Sequence, residues 1–136
     1  MAKIIGEELL ARFNGNSPAT EFAIREFERE SGLRLPQDYE RFLRQTNGGE
    51  GFVGPNAYVI LWRVEELLEL NRAYEVSVYA PGLFLFGSDG GGEAFAFDVR
   101  SNPAPTVSVP FVGMDRSLAR PIGTTFTGFL QALAQA

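Results

Sequence analysis

The side chains of this sequence best suited to chemistry are three carboxylates, Asp89, Glu93 and Asp98, set around the glycine run of "GSDGGGEAFAFD". Two carboxylates can carry glycosidic chemistry when both reach one bond, and spaced oxygen ligands in a loop can hold calcium. Glycine-rich loops can also cradle phosphate. A phosphate loop, however, needs a Gly-Lys-Ser/Thr step opening a helix, so that lysine and backbone N–H groups converge on the anion. Here no lysine follows, and the glycines run into a second alternating segment. A dinucleotide fingerprint fails for the same want of a helix. Glycines between two alternating strands supply the positive φ values of a chain reversal. The run reads as a hairpin turn, and the oxygens of "SDGGGE" do not follow the calcium-loop pattern.

The remaining inventory narrows the chemistry further. The chain has no histidine and no cysteine, and Lys3 is its one lysine. Histidine-assisted nucleophiles, the familiar zinc sites and thiol chemistry are therefore excluded. Carboxylates, tyrosines, arginines and hydroxyls are what is left. A carboxylate-dependent enzyme stays open as an alternative on Asp89, Glu93 and Asp98 alone. The expectation is a protein without catalysis, metal or cofactor.

Net charge is −5, and the excess is local: residues 51–100 hold seven acids against three arginines. Nucleic-acid binding through phosphate neutralisation needs a basic stripe, and the sequence has none. An acidic surface serves solubility, and it also suits a basic protein partner. "MAKIIGEELLARF" lacks the apolar run of a signal peptide, and no apolar stretch has the length of a membrane span. A cytoplasmic protein that touches neither membrane nor nucleic acid is expected.

These groups need a scaffold. At 136 residues the chain has the size of one domain, able to bury roughly two thirds of its unfolded surface. "SPATEFAIREFERESG" predicts a helix capped by Ser17 with Pro18 in its first turn, carrying Ile24 and Phe27 on one face. "LPQDYERFLRQTNGG" predicts a second helix from Pro36 to the Asn47-Gly48-Gly49 stop, so that the two form a helical hairpin. "AYVILW" reads as a strand buried on both faces, and "VEELLELNRAY" as a helix. "LFLFG", "EAFAFDV" and "TVSVPFV" read as strands, with Phe95 and Phe97 on one face and Ala94 and Ala96 on the other. "TTFTGFLQALAQA" closes the chain as a helix. Helices lead, hairpin-linked strands follow and a helix ends the chain, an α+β pattern over residues 1–136 with a mainly antiparallel or mixed sheet. The expected core includes Phe27, Tyr39, Phe42, Leu43, Ile60, Phe95, Phe97, Phe129 and Leu133. The aromatics Tyr58, Trp62, Phe84 and Phe86 are likewise read as core.

The order of these motifs resembles the SUKH superfamily, which includes fungal cell-wall-synthesis regulators and many bacterial proteins. The resemblance rests on Phe27, Gly32, Leu35-Pro36, Asp38-Tyr39, Phe42-Leu43 and Asn47-Gly48. Further along it rests on Gly87, Gly91 and Phe95 to Asp98, then "VSVPFVGMD" and "FTGFLQAL". It is strongest over residues 20–133, with "IGTTF" departing from the family's usual start of the last helix. The resemblance implies a non-catalytic protein-binding module, in bacteria commonly an immunity protein that neutralises a toxin, often a nuclease with a basic surface. The fungal branch implies the alternative, an intracellular regulatory module. Candidate partner-binding residues are Asn47, Gly49 and Glu50 after the second helix and Ser88, Asp89 and Glu93 around the glycine turn. The loops carrying them are expected to meet at one edge of the sheet.

Overall fold

A computed structural model describes residues 8–135; the N-terminal reading of Met1 to Glu7 lies outside the described residues. Seven strands form one antiparallel meander in which each strand pairs with its neighbour in sequence. They are β1 (Phe13–Gly15), β2 (Gly49–Val53), β3 (Ala57–Leu61), β4 (Leu83–Ser88), β5 (Glu93–Asp98), β6 (Thr106–Pro110) and β7 (Arg120–Gly123). Helices α1 (Glu21–Ser31) and α2 (Gln37–Gln45) lie between β1 and β2. Helices α3 (Val64–Ala73) and α4 (Val76–Tyr79) separate β3 from β4, and α5 (Phe126–Ala134) closes the fold. The α+β class is as expected, with a fully antiparallel sheet among the described residues.

The order of elements departs from the expected one. A strand precedes the helices, and β2 and β7 join the sheet from segments too rich in glycine and proline to read as strands. α1 also begins later than expected. Ser17 and Ala19 are tied to the end of α2 by Asn47 N–H to Ser17 C=O (3.0 Å) and Ala19 N–H to Leu43 C=O (2.8 Å). That segment is thereby held out of the helix, and Thr20 becomes the N-cap, its Oγ1 accepting from Ala23 N–H at 3.0 Å. α1 and α2 remain neighbours joined through Arg44, whose guanidinium pairs with both Glu21 and Glu40.

Two cores form, one on each face of the sheet. The larger lies under α1, α2, α3 and α5 and is dominated by stacked and edge-on aromatic rings. Phe86 and Phe97 are 4.4 Å apart, Tyr39 and Phe126 4.9 Å, and Phe95 and Phe129 4.9 Å. Such ring pairs add to what burial alone contributes. The smaller core joins Leu83, Leu85, Ala94, Ala96, Val107 and Val109 beneath Val76, Ala80 and Met114. The alternation of β5 is as expected, but its alanine face is buried as well.

β3 corrects a second expectation. Val59 and Leu61 point into the larger core, whereas Tyr58 is 37% exposed and Ile60 is half-buried. The apolar run therefore alternates in burial. Ile60 and Tyr58 are not core residues, and Leu133 only packs against the core's margin.

Candidate functional site

Several polar residues with a functional look hold the fold together. Asp38 Oδ2 accepts from Thr127 N–H at 2.7 Å and from Thr127 Oγ1 at 2.9 Å, which ties α2 to the first turn of α5. A carboxylate there meets the orphan N–H groups and positive end of the helix. Asn47 is 6% exposed. Its Oδ1 accepts from Val64 N–H at 2.9 Å, and its Nδ2 donates to Glu65 at 2.7 Å, which secures the start of α3. Gly48, at φ +73°, lies so close to β3 that a Cβ would stand 2.4 Å from the Leu61 carbonyl oxygen.

Of the other candidates, Gly49, Glu50, Ser88 and Glu93 sit in strands of the sheet, and Asp89 lies in the turn between β4 and β5. Gly49 and Glu50 belong to β2, with Gly49 buried and Glu50 exposed. Glu50 pairs in register with Ile60, Ile60 with Ser88, and Ser88 with Ala94. Partners in register present their side chains on one face of the sheet. Glu50, Ile60 and Ser88 therefore form a row on the face opposite the larger core. Ser88 ends β4, and Asp89 starts the expected hairpin turn. Its Oδ1 accepts from Gly91 N–H at 2.7 Å and Glu93 N–H at 3.2 Å, and Asp89 N–H donates to the Glu93 carbonyl at 3.0 Å. Gly90 provides the positive φ, +82°. Glu93 is half-buried, and its Oε1 is buried with no hydrogen-bond partner among the described residues.

Around this row lies a part of the sheet that no helix covers. α4 and Met114 close the second face over β4 to β6, but over β2 and β3 it stays open. There Tyr58 donates its hydroxyl to Glu50, and its ring meets Phe52 edge-on at 5.4 Å. The carboxylate bond raises the Tyr58 pKa by favouring the protonated phenol. Arg12 stands 4.4 Å over the Phe52 ring. The glycine turn leans over the same surface, since a Cβ on Gly90 would touch the Tyr58 ring at 3.4 Å. Beyond it Trp62 stacks on Tyr74 and Tyr74 meets Phe111 at 4.8 Å, while Phe111 N–H donates to Gly92 C=O at 2.9 Å. Tyr74 is 42% exposed.

Sequence reasoning missed the aromatic part of this surface because β3 was read as doubly buried. The signal lay in the polar residues opposite it: a strand facing Glu50 across one pair cannot be dry on both sides. Chemically the surface offers aromatic faces, three carboxylates and the phenols of Tyr58 and Tyr74. Among the described residues no group of three or more histidine, cysteine, aspartate or glutamate side chains converges as a metal site. No described helix is long and apolar enough to cross a membrane.

Comparison with known proteins finds the SMI1/KNR4 family (SUKH-1) over residues 18–132, so the chain belongs to that family. No curated protein matches the chain significantly.

Proposed function

We propose that this SMI1/KNR4-family chain is a non-catalytic protein-binding module that acts as an immunity protein, neutralising a cognate toxin by direct contact through the open half of the sheet. The observation that carries this reading is the juxtaposition of exposed aromatics with carboxylates. Tyr58 and Tyr74 stand partly in solvent beside Glu50, Asp89 and Glu93. Aromatic side chains are frequent interface anchors, and surrounding acids speed the approach of a basic partner. A toxin whose own substrate is a polyanion, such as a nuclease, presents a basic surface that this face complements. Asn47 and Gly49 contribute by fixing the start of α3 and the close packing of β2, on which Glu50 depends.

The test is affinity capture from native cells, then reconstitution with the captured protein. A one-to-one complex in which the partner's activity is suppressed supports immunity. A stable complex that leaves the partner fully active contradicts neutralisation and favours the regulatory role. Turnover by the chain itself in a hydrolase screen, lost in Asp89→Asn or Glu93→Gln, would overturn the non-catalytic reading.

A further inference from the structure

The groove between α1 and α3 lies on the helical side of the molecule, away from the open sheet face. Phe27 and Val64 form its buried floor, and Ala23 and Leu68 are half-buried in its walls. Phe22, on the outer turn of α1, borders it and is 74% exposed. A phenylalanine that open on a helix leaves a large ring in water, next to apolar side chains already half in solvent. Together they form a continuous apolar strip. The groove volume is about 320 Å³, a shallow seat for a few side chains.

The rim is acidic. Glu26, Glu30 and Glu65 line the groove, and no lysine or arginine does. Glu26 is matched by Arg29 on α1. Among the described residues Glu65 bonds the neutral amide of Asn47, and Glu30 makes no close ion pair, with Arg29 its cationic neighbour. Glu69, one turn beyond Glu65 on α3, extends the acidic rim, because residues four apart share a helix face.

From this we infer that the α1–α3 groove is a docking site for a basic amphipathic helix of a partner protein, the helix laying its apolar stripe over Phe22 and Leu68 with lysines or arginines along Glu30 and Glu65. An apolar strip bordered by one sign of charge selects this class of ligand. The apolar stripe supplies affinity through burial, and the flanking cations supply orientation and reject acidic helices. α1 spans eleven residues, so the groove accommodates two to three turns of the ligand, with anchors spaced i, i+3 or i+4, and i+7. The inference rests on the binding-module reading only in taking proteins as natural ligands.

The test titrates the ¹⁵N-labelled full chain with a synthetic Leu/Lys amphipathic helix of about 18 residues, long enough to be helical, and with its Leu/Glu counterpart. Expected are amide shifts confined to α1 and α3 with the Leu/Lys peptide, and none with Leu/Glu. Phe22→Ala should weaken binding about tenfold, as loss of an aromatic anchor does. Glu30→Gln with Glu65→Gln should flatten its salt dependence. Both variants keep the fold: Phe22 is exposed, and glutamine at 65 still accepts from Asn47. Equal binding by Phe22→Ala, shifts that map to β2 and β3 instead, or equal response to both peptides would each overturn the inference. Sedimentation at rising concentration covers the remaining occupant. Self-association abolished by Phe22→Ala would assign the groove to a second copy of this chain and overturn it too. Shifts on β2 and β3 would speak for the sheet face while overturning the groove; the other outcomes leave that face untouched, because the captured partner is not used.

Discussion

Removing the side chain of Asn71 should cost this fold more than any other single polar deletion. β3 pairs with β4 only at its end, through Gly87 and Ser88, so Leu85 has no strand on that side. Asn71 takes the strand's place. Its Oδ1 accepts from Leu85 N–H at 2.8 Å, and its Nδ2 donates to Leu85 C=O at 3.0 Å and to Leu67 C=O at 2.8 Å. Asn71 is 8% exposed and Leu85 fully buried, so water does not replace those bonds. In Asn71→Ala the Leu85 N–H and C=O both lose their partner, at about 1–3 kcal/mol each, for a total of roughly 2–6 kcal/mol. That is a large share of the stability of an ordinary domain. Urea denaturation measures the difference. Asn71→Asp separates the two bonds: it keeps the acceptor for Leu85 N–H but sets a carboxylate against two carbonyls, so it should be at least as damaging as alanine. A loss below about 1 kcal/mol in Asn71→Ala would refute the reasoning.

Phe42, fully buried among rings, should cost about 3–5 kcal/mol as Phe42→Ala by denaturation; a loss below about 1 kcal/mol would remove it from the core. Tyr39 is fully buried, its hydroxyl has no partner among the described residues, and burial drives its pKa far upward. Tyr39→Phe should therefore hold stability or raise it by about 1 kcal/mol, and a clear loss would reveal a bond to that hydroxyl. Burial and the facing carboxyl of Glu40 raise the pKa of Glu28. The folded state thus holds that proton more tightly, and its stability falls as pH rises from the ordinary glutamate value through the raised one. Glu28→Gln should be the more stable protein above that window and equal to the parent below it. An advantage that persists at acid pH would contradict this.

Much of the fold was legible because its strongest signals are local. Helix periodicity located α2, α3 and α5, and the alternation of Phe95 and Phe97 with Ala94 and Ala96 assigned both faces of β5. What was not legible depends on partners distant in sequence. β1 becomes a strand only by pairing with β2, and Gly49 and Gly51 in β2 give no propensity signal of their own. Thr20 rather than Ser17 caps α1 because Ser17 bonds to Asn47, thirty residues away. At the candidate site, Ser88, Asp89 and Glu93 were visible as a turn between alternating segments. Their alignment with Glu50 and Ile60 needed the register of β2, β3 and β4. The Asp-Tyr and Asn-Gly pairs of the resemblance carry architecture: Asp38 ties α2 to α5, Tyr39 fills the core, Asn47 secures α3 and Gly48 lets β3 approach.

The central proposal is that the open sheet face binds a basic protein partner. Its most direct test is the association rate of the captured partner with Glu50→Gln/Asp89→Asn/Glu93→Gln, compared with Glu21→Gln, an exposed acid on α1, which packs against the other side of the sheet. Amide substitutions retain the acceptors that Tyr58 and the turn require while removing three charges. Rates are read at about 0.02 M and about 0.5 M salt, where the screening length shrinks severalfold. The triple variant is expected to associate roughly tenfold more slowly than the parent at low salt and to converge with it at high salt, with dissociation little changed. Glu21→Gln should match the parent throughout. Equal association by the triple variant and the parent at low salt, with the protein folded, would contradict the assignment of this face.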